Sequence, residues 1–91
     1  MTITARELRK VIIKVAMEMY GTSPFGRREL MEAVEARVRQ MGDWTSNDDE
    51  LSGSVGIKSK GLAQIDWRIT DLAQNGRLIH VDNDKWILPT R

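Results

Sequence analysis

The chain contains no cysteine, a single histidine and almost no excess of either charge, and each shortage removes a class of function. Without cysteine there is no disulfide scaffold, no thiolate nucleophile and no cysteine-bound zinc. His80 stands alone with only scattered carboxylates as co-ligands, so it reads as a structural or exposed strand residue and no metal is expected. Fourteen lysines and arginines against thirteen acids leave a net charge of +1, short of the basic excess that would by itself announce a nucleic-acid binder. Long apolar runs are missing too. Met1-Thr2-Ile3-Thr4 leads into a charged segment, and Val11-Ile12-Ile13 is cut by Lys14, so neither a signal peptide nor a membrane span is expected. With no cysteine to protect, a reducing cytoplasm suits the chain. No GxxxxGK[ST] pattern occurs, so Gly53-Ser54-Val55-Gly56-Ile57-Lys58 does not make a phosphate loop, and no cofactor is expected.

What is present fits one domain, residues 1–91, with a modest core and no room for an ordinary enzyme scaffold beside a substrate domain. Thr4 is placed to cap a first helix, with Glu7 three residues on, and Leu8, Ile12, Val15, Ala16 and Met19 recur on one face until Tyr20-Gly21. Thr22-Ser23-Pro24-Phe25-Gly26 breaks the helix, and Phe25 suits a short extended segment laid against a later hairpin. A second helix runs from Arg27 or Arg28 to Met41, with Leu30, Met31, Val34, Val38 and Met41 inward and Gly42 as its stop. Asn47-Asp48-Asp49-Glu50-Leu51 suits a capped single turn within 46–52, followed by a Gly/Ser-rich connection. Ser59 caps a third helix from Lys60 to Asn75, whose inward stripe is Leu62, Ile65, Ile69, Leu72 and Ala73, and Gly76 ends it.

Leu78-Ile79-His80-Val81 and Lys85-Trp86-Ile87-Leu88 are then two β-rich runs around the turn formers Asp82-Asn83-Asp84. Three helices with a hairpin directly after the third are the layout of an α+β winged helix, a winged helix-turn-helix with a C-terminal wing. In that layout the third helix can enter a major groove while the wing touches the backbone or minor groove beside it.

The outer face of the third helix is therefore the main candidate site. Gln64 can pair with adenine and Arg68 with guanine, while Lys58, Ser59 and Lys60 near the helix start can reach phosphates. Arg27 and Arg28 at the start of the second helix can clamp a phosphate, and Asn83 and Lys85 can act from the wing. Trp67 falls nearly opposite the apolar stripe. It is either an exposed contact residue or packed beneath the Asp43–Ser59 segment near Trp44, and packing is the favoured of the two. Arg6, Arg9, Lys10 and Lys14 read as i,i+4 partners or solvated surface. Asp48, Asp49 and Glu50 sit beside a Gly/Ser loop with no histidine or nucleophile near them in sequence, so they read as helix-start acids rather than a catalytic pair.

Ile65-Asp66-Trp67-Arg68-Ile69-Thr70-Asp71-Leu72, followed by Asn75-Gly76-Arg77-Leu78-Ile79 and later Trp86, resembles the N-terminal winged-helix domain of Mrr-type restriction endonucleases. The family shows an apolar residue, a tryptophan, two spaced aliphatics, a glycine stop and a hairpin with an aromatic near its end. The likeness extends over most of the chain. It implies a domain that reads or holds DNA within a restriction system, with cleavage left to a separate, fused nuclease domain that nothing here matches. It also implies a packing role for Trp67. Arg68 departs from the pattern, which often has a small residue there.

The expectation is thus a non-catalytic module for double-stranded DNA, the target-recognition part of a restriction-type or regulatory protein. The competing expectation is a protein–protein interaction module, an adaptor or inhibitor that uses the same surface on a protein partner.

Overall fold

Side-chain caps and glycine stops set the element boundaries in the computed structural model, which describes residues 1–51, 59–82 and 85–89. Thr4 Oγ1 accepts from the Glu7 backbone N–H at 3.1 Å and opens α1, Ala5–Tyr20. The two-residue strand β1, Phe25–Gly26, runs straight into α2, Arg27–Gln40. A single 3-10 turn, Ser46–Asp49, follows, with the Thr45 N–H donating to Asp48 Oδ2 at 2.8 Å. Ser59 Oγ then accepts from the Leu62 N–H at 3.2 Å and starts α3, Lys60–Gln74. The strands β2, Ile79–Asp82, and β3, Lys85–Ile87, complete the chain.

α2 and α3 end in the same way. Past α3, the N–H of Arg77 reaches Leu72 O and that of Gly76 reaches Ala73 O; past α2, Asp43 reaches Val38 O and Gly42 reaches Arg39 O. This double bond pattern needs a left-handed residue, which Gly42 supplies at φ 81° and Gly76 at φ 73°. At Gly76 the reversal is what throws the chain from α3 into the hairpin, so the hairpin's position follows from one residue's freedom.

The three strands form one antiparallel sheet in the order β1-β3-β2. Phe25 lies opposite Trp86 and Gly26 opposite Lys85, while His80 also lies opposite Trp86 on the other side. A register shift between His80 and Asp82 bends the outer strand. β1 therefore ties the α1–α2 connection to the hairpin, as the Phe25 expectation had it, and Phe25 stacks on Tyr20 with ring centroids 4.9 Å apart.

α1, α2 and α3 pack on one another around Leu8, Ile12, Val15, Leu30, Val34, Val38, Ile65 and Ile69, with Phe25 and Leu78 closing the side nearest the sheet. Each such side chain contributes about 1.5–3 kcal/mol on burial. The result is an α+β arrangement of three helices and a small three-stranded sheet, a layout compatible with a winged helix.

Two apolar residues expected inside are outside. Met19 is 59% exposed, because no residue of α1 beyond Ala16 is buried and only Tyr20 in the last turn is drawn back, onto Phe25. Met41 is 48% exposed because α2 has ended at Gln40 and the chain is already turning at Gly42. Among the described residues no helix is long and apolar enough to cross a membrane.

Candidate nucleic-acid interface

α3 is seated from both flanks, and its outer strip is left open. On one flank Trp44 from the segment after α2 lies flat on Gly61, so close that a Cβ there would fall 2.3–2.8 Å from three of its ring atoms. Trp44 is itself fixed by its indole N–H, which donates to Asp49 Oδ1 at 3.0 Å, and by Arg39, whose guanidinium sits 4.6 Å from the ring centroid. The indole and then Arg39 hold the Asp49 carboxyl below its ordinary range. Absence of a side chain at Gly61 thus lets the 3-10 turn dock against the first turn of α3.

On the other flank Arg27 reaches across from the start of α2. Its Nε donates to Asp66 Oδ1 at 2.6 Å, and one terminal nitrogen donates to Asp66 O at 2.8 Å and Thr70 Oγ1 at 2.6 Å. The same guanidinium lies 5.7 Å from the Trp86 ring centroid, and His80 meets that ring at 4.8 Å. One arginine therefore joins α2, α3 and the sheet.

Between these flanks, Gln64 and Trp67 face solvent, with Trp67 66% exposed. This corrects the packing expectation for Trp67: the tryptophan that packs against α3 is Trp44, on Gly61, and Trp67 projects to solvent from another face of the helix. The cations on this face are held. Lys60 Nζ is 3.3 Å from Glu50 Oε1, and Arg68 Nε is 3.0 Å from Asp71 Oδ2, at an angle too poor for a hydrogen bond. Asp71 also receives Arg9 from α1 at 3.6 Å. Ser59 is engaged as the helix cap.

The remaining expected contacts scatter. Arg27 is committed within the fold and is not a loose phosphate clamp, whereas Arg28 is exposed with no ion pair among the described residues. Lys85 is exposed on β3, 3.8 Å from Glu29. Lys58 and Asn83 lie outside the described residues. Gln64, Trp67, Lys60 and Arg68 are thus brought onto one helix, with Lys85 on the sheet beyond Arg27 and Arg28 at the start of α2.

The acidic group is accounted for locally. Burial pushes the Asp48 carboxyl up, but the Met1 ammonium 2.5 Å away and the Thr45 N–H and hydroxyl outweigh it, leaving the group below its ordinary value. Asp49 serves Trp44 and Arg39, and Glu50 serves Lys60. Elsewhere, Arg37 holds the Glu18 carboxyl below its usual range by a hydrogen bond joining α1 and α2. No cluster of three His, Asp or Glu able to hold a metal occurs among the described residues.

A second surface gathers the basic residues expected from the sequence as i,i+4 partners or solvated surface. Arg6, Arg9, Lys10 and Lys14 of α1 and Arg77 after α3 line one groove over Ile13, Met17 and Leu72, with no acid in the lining. Arg6, Lys10 and Arg77 make no ion pair among the described residues, so the i,i+4 partners expected for the first two are not there. The spacing itself carried the signal, since the residue four after Arg6 is Lys10 and the residue four after that is Lys14.

Comparison with protein-family models, with curated proteins and with solved structures gives no match.

Proposed function

We propose that the domain binds double-stranded DNA without catalysing a reaction, presenting the outer face of α3 to the major groove with the β2–β3 hairpin beside it. The observation that carries this reading is a long helix, anchored on both flanks by Gly61–Trp44 and Arg27–Asp66, whose outward residues Gln64 and Trp67 are left to solvent. Gln64 can donate to and accept from the adenine edge, and the Trp67 ring offers an apolar contact for a thymine methyl. Lys60 is shared with Glu50 in an exposed pair, which costs little to exchange for a phosphate oxygen, whereas Arg68, 24% exposed beside Asp71, offers only the outer part of its guanidinium. Arg28, with the N-terminal amides of α2 behind it, suits a backbone phosphate. The resemblance to the Mrr-type N-terminal domain supports the same reading and suggests a target-recognition role within a restriction-type or regulatory protein.

A second reading rests on one observation. A 66% exposed tryptophan on a helix whose charges are mutually neutralised is also what a protein partner would use as an anchor. Fluorescence anisotropy with a pool of duplexes across a salt series separates the two. DNA binding requires affinity that falls steeply with salt; no binding at low salt, with binding to a protein partner that nuclease treatment leaves intact, selects the interaction module.

A further inference from the structure

Where most of the duplex backbone is gripped is a separate question, and α3 answers little of it, since its cations are shared with Glu50 and Asp71 and Arg68 is largely buried. Among the described residues, the largest group of cations without an ion pair lies around the corner, on α1, and Arg28 of α2 stands apart from it. Arg6, Lys10 and Lys14 are exposed and four residues apart, so they stand in one row. With a rise of about 1.5 Å per residue, the row places a cation roughly every 6 Å over about 12 Å. Like charges at this spacing repel one another along a helix, and an anionic polymer lying on them relieves that repulsion. Arg77 extends the row at the turn after α3, and Arg9 closes the gap, because its pairing with Asp71 puts it at the border of the α3 outer face. Since the whole chain carries only +1, an acid-free groove with five cations leaves the rest of the molecule net negative. A linear polyanion is therefore attracted to this face and to no other of comparable charge among the described residues.

We propose that the α1 row, Arg6, Lys10 and Lys14 with Arg77, is the phosphate-binding surface of the domain, holding one strand of the duplex along α1 while α3 lies in the adjacent major groove. One strand presents a phosphate per about 3.4 Å of axis, so a row of this length faces several in succession. This rests on the DNA reading of α3, but it assigns the electrostatic part of binding to residues that reading does not use.

The test is duplex binding by anisotropy over a salt series for the full chain, for Arg6→Gln/Lys10→Gln/Lys14→Gln, and for Gln64→Ala/Trp67→Ala, with circular dichroism confirming that each is folded. All these positions are exposed, and a charge-reversed Lys10→Glu single variant serves should the triple variant misfold. The α1 variant should bind at least about tenfold more weakly at low salt, and its slope of log affinity against log salt should flatten by about 0.9 for each phosphate that is no longer neutralised. The α3 variant should lose affinity with the slope kept. An α1 variant with unchanged affinity and slope, while the wild type binds and the α3 variant is weakened, overturns the phosphate surface and leaves the α3 reading standing. A flattened slope with an unaffected α3 variant does the reverse, and a wild type that binds no duplex removes both.

Discussion

Arg27 and Asp66, 39 residues apart in sequence, form the bond that fixes α3 to α2: Nε to Oδ1 at 2.6 Å, reinforced by the bonds from the same guanidinium to Asp66 O and Thr70 Oγ1. Both side chains are largely shielded from water, at 27% and 20% exposure, so removing one leaves polar groups poorly solvated. Arg27→Ala should lower stability by about 1–3 kcal/mol, read from the midpoint of urea unfolding, with no change in the slope of the transition. Lysine should rescue little, because an ammonium cannot span Asp66 and Thr70 as the guanidinium fork does.

Gly61→Ala should be destabilising although alanine is the better helix former by about 1 kcal/mol, because the new methyl group meets the Trp44 ring. Adding Trp44→Ala should reverse the sign. In that background Gly61→Ala should be neutral or stabilising, and a thermal-unfolding double-mutant cycle measures the coupling.

These two contacts mark the limit of what the sequence made legible. Helix limits came through because their causes are local: Thr4 and Ser59 are caps, Gly42 and Gly76 are left-handed stops, and all four stand at the predicted places. Phe25 against the hairpin was legible as well, since a lone aromatic between breakers has few other uses. The partner choices were not. Arg27 looked like a phosphate ligand because Asp66 is far away in sequence, and the wrong tryptophan was assigned to packing because Gly61 gives no sign of the ring lying on it. The α1 row was visible in spacing but was read as i,i+4 partners or solvated surface; the helix supplies such an acid only to Lys14, whose charge reaches Glu18, and none to Arg6 or Lys10.

Asp48 should make the fold acid-sensitive. Its carboxyl lies below the ordinary 3.8 in the folded state, so the stability it contributes is present above that value and is lost as pH falls through the lower, folded-state value. Asp48→Asn should therefore unfold more easily at neutral pH, by about 1.5–3 kcal/mol, and should flatten the loss of stability as pH falls below the ordinary 3.8, read by denaturant titration at each pH.

Trp67→Ala should separate binding from folding. An exposed side chain contributes little to stability, so the unfolding midpoint should stay within about 0.5 kcal/mol of wild type. Duplex affinity should drop nonetheless, and Trp67 fluorescence, isolated in a Trp44→Phe/Trp86→Phe background, should respond to added DNA.

The most direct measurement of the central claim is a map of backbone amide and tryptophan indole shifts as a short mixed-sequence duplex is added at low salt. A duplex lying on α3 and gripped by α1 should move Lys60, Gln64, the Trp67 indole and the Arg6–Lys14 stretch together, and leave the Trp44 indole still. Shifts confined to the 3-10 turn Ser46–Asp49 and the acidic residues of α2, or no shifts at saturating duplex, would contradict it.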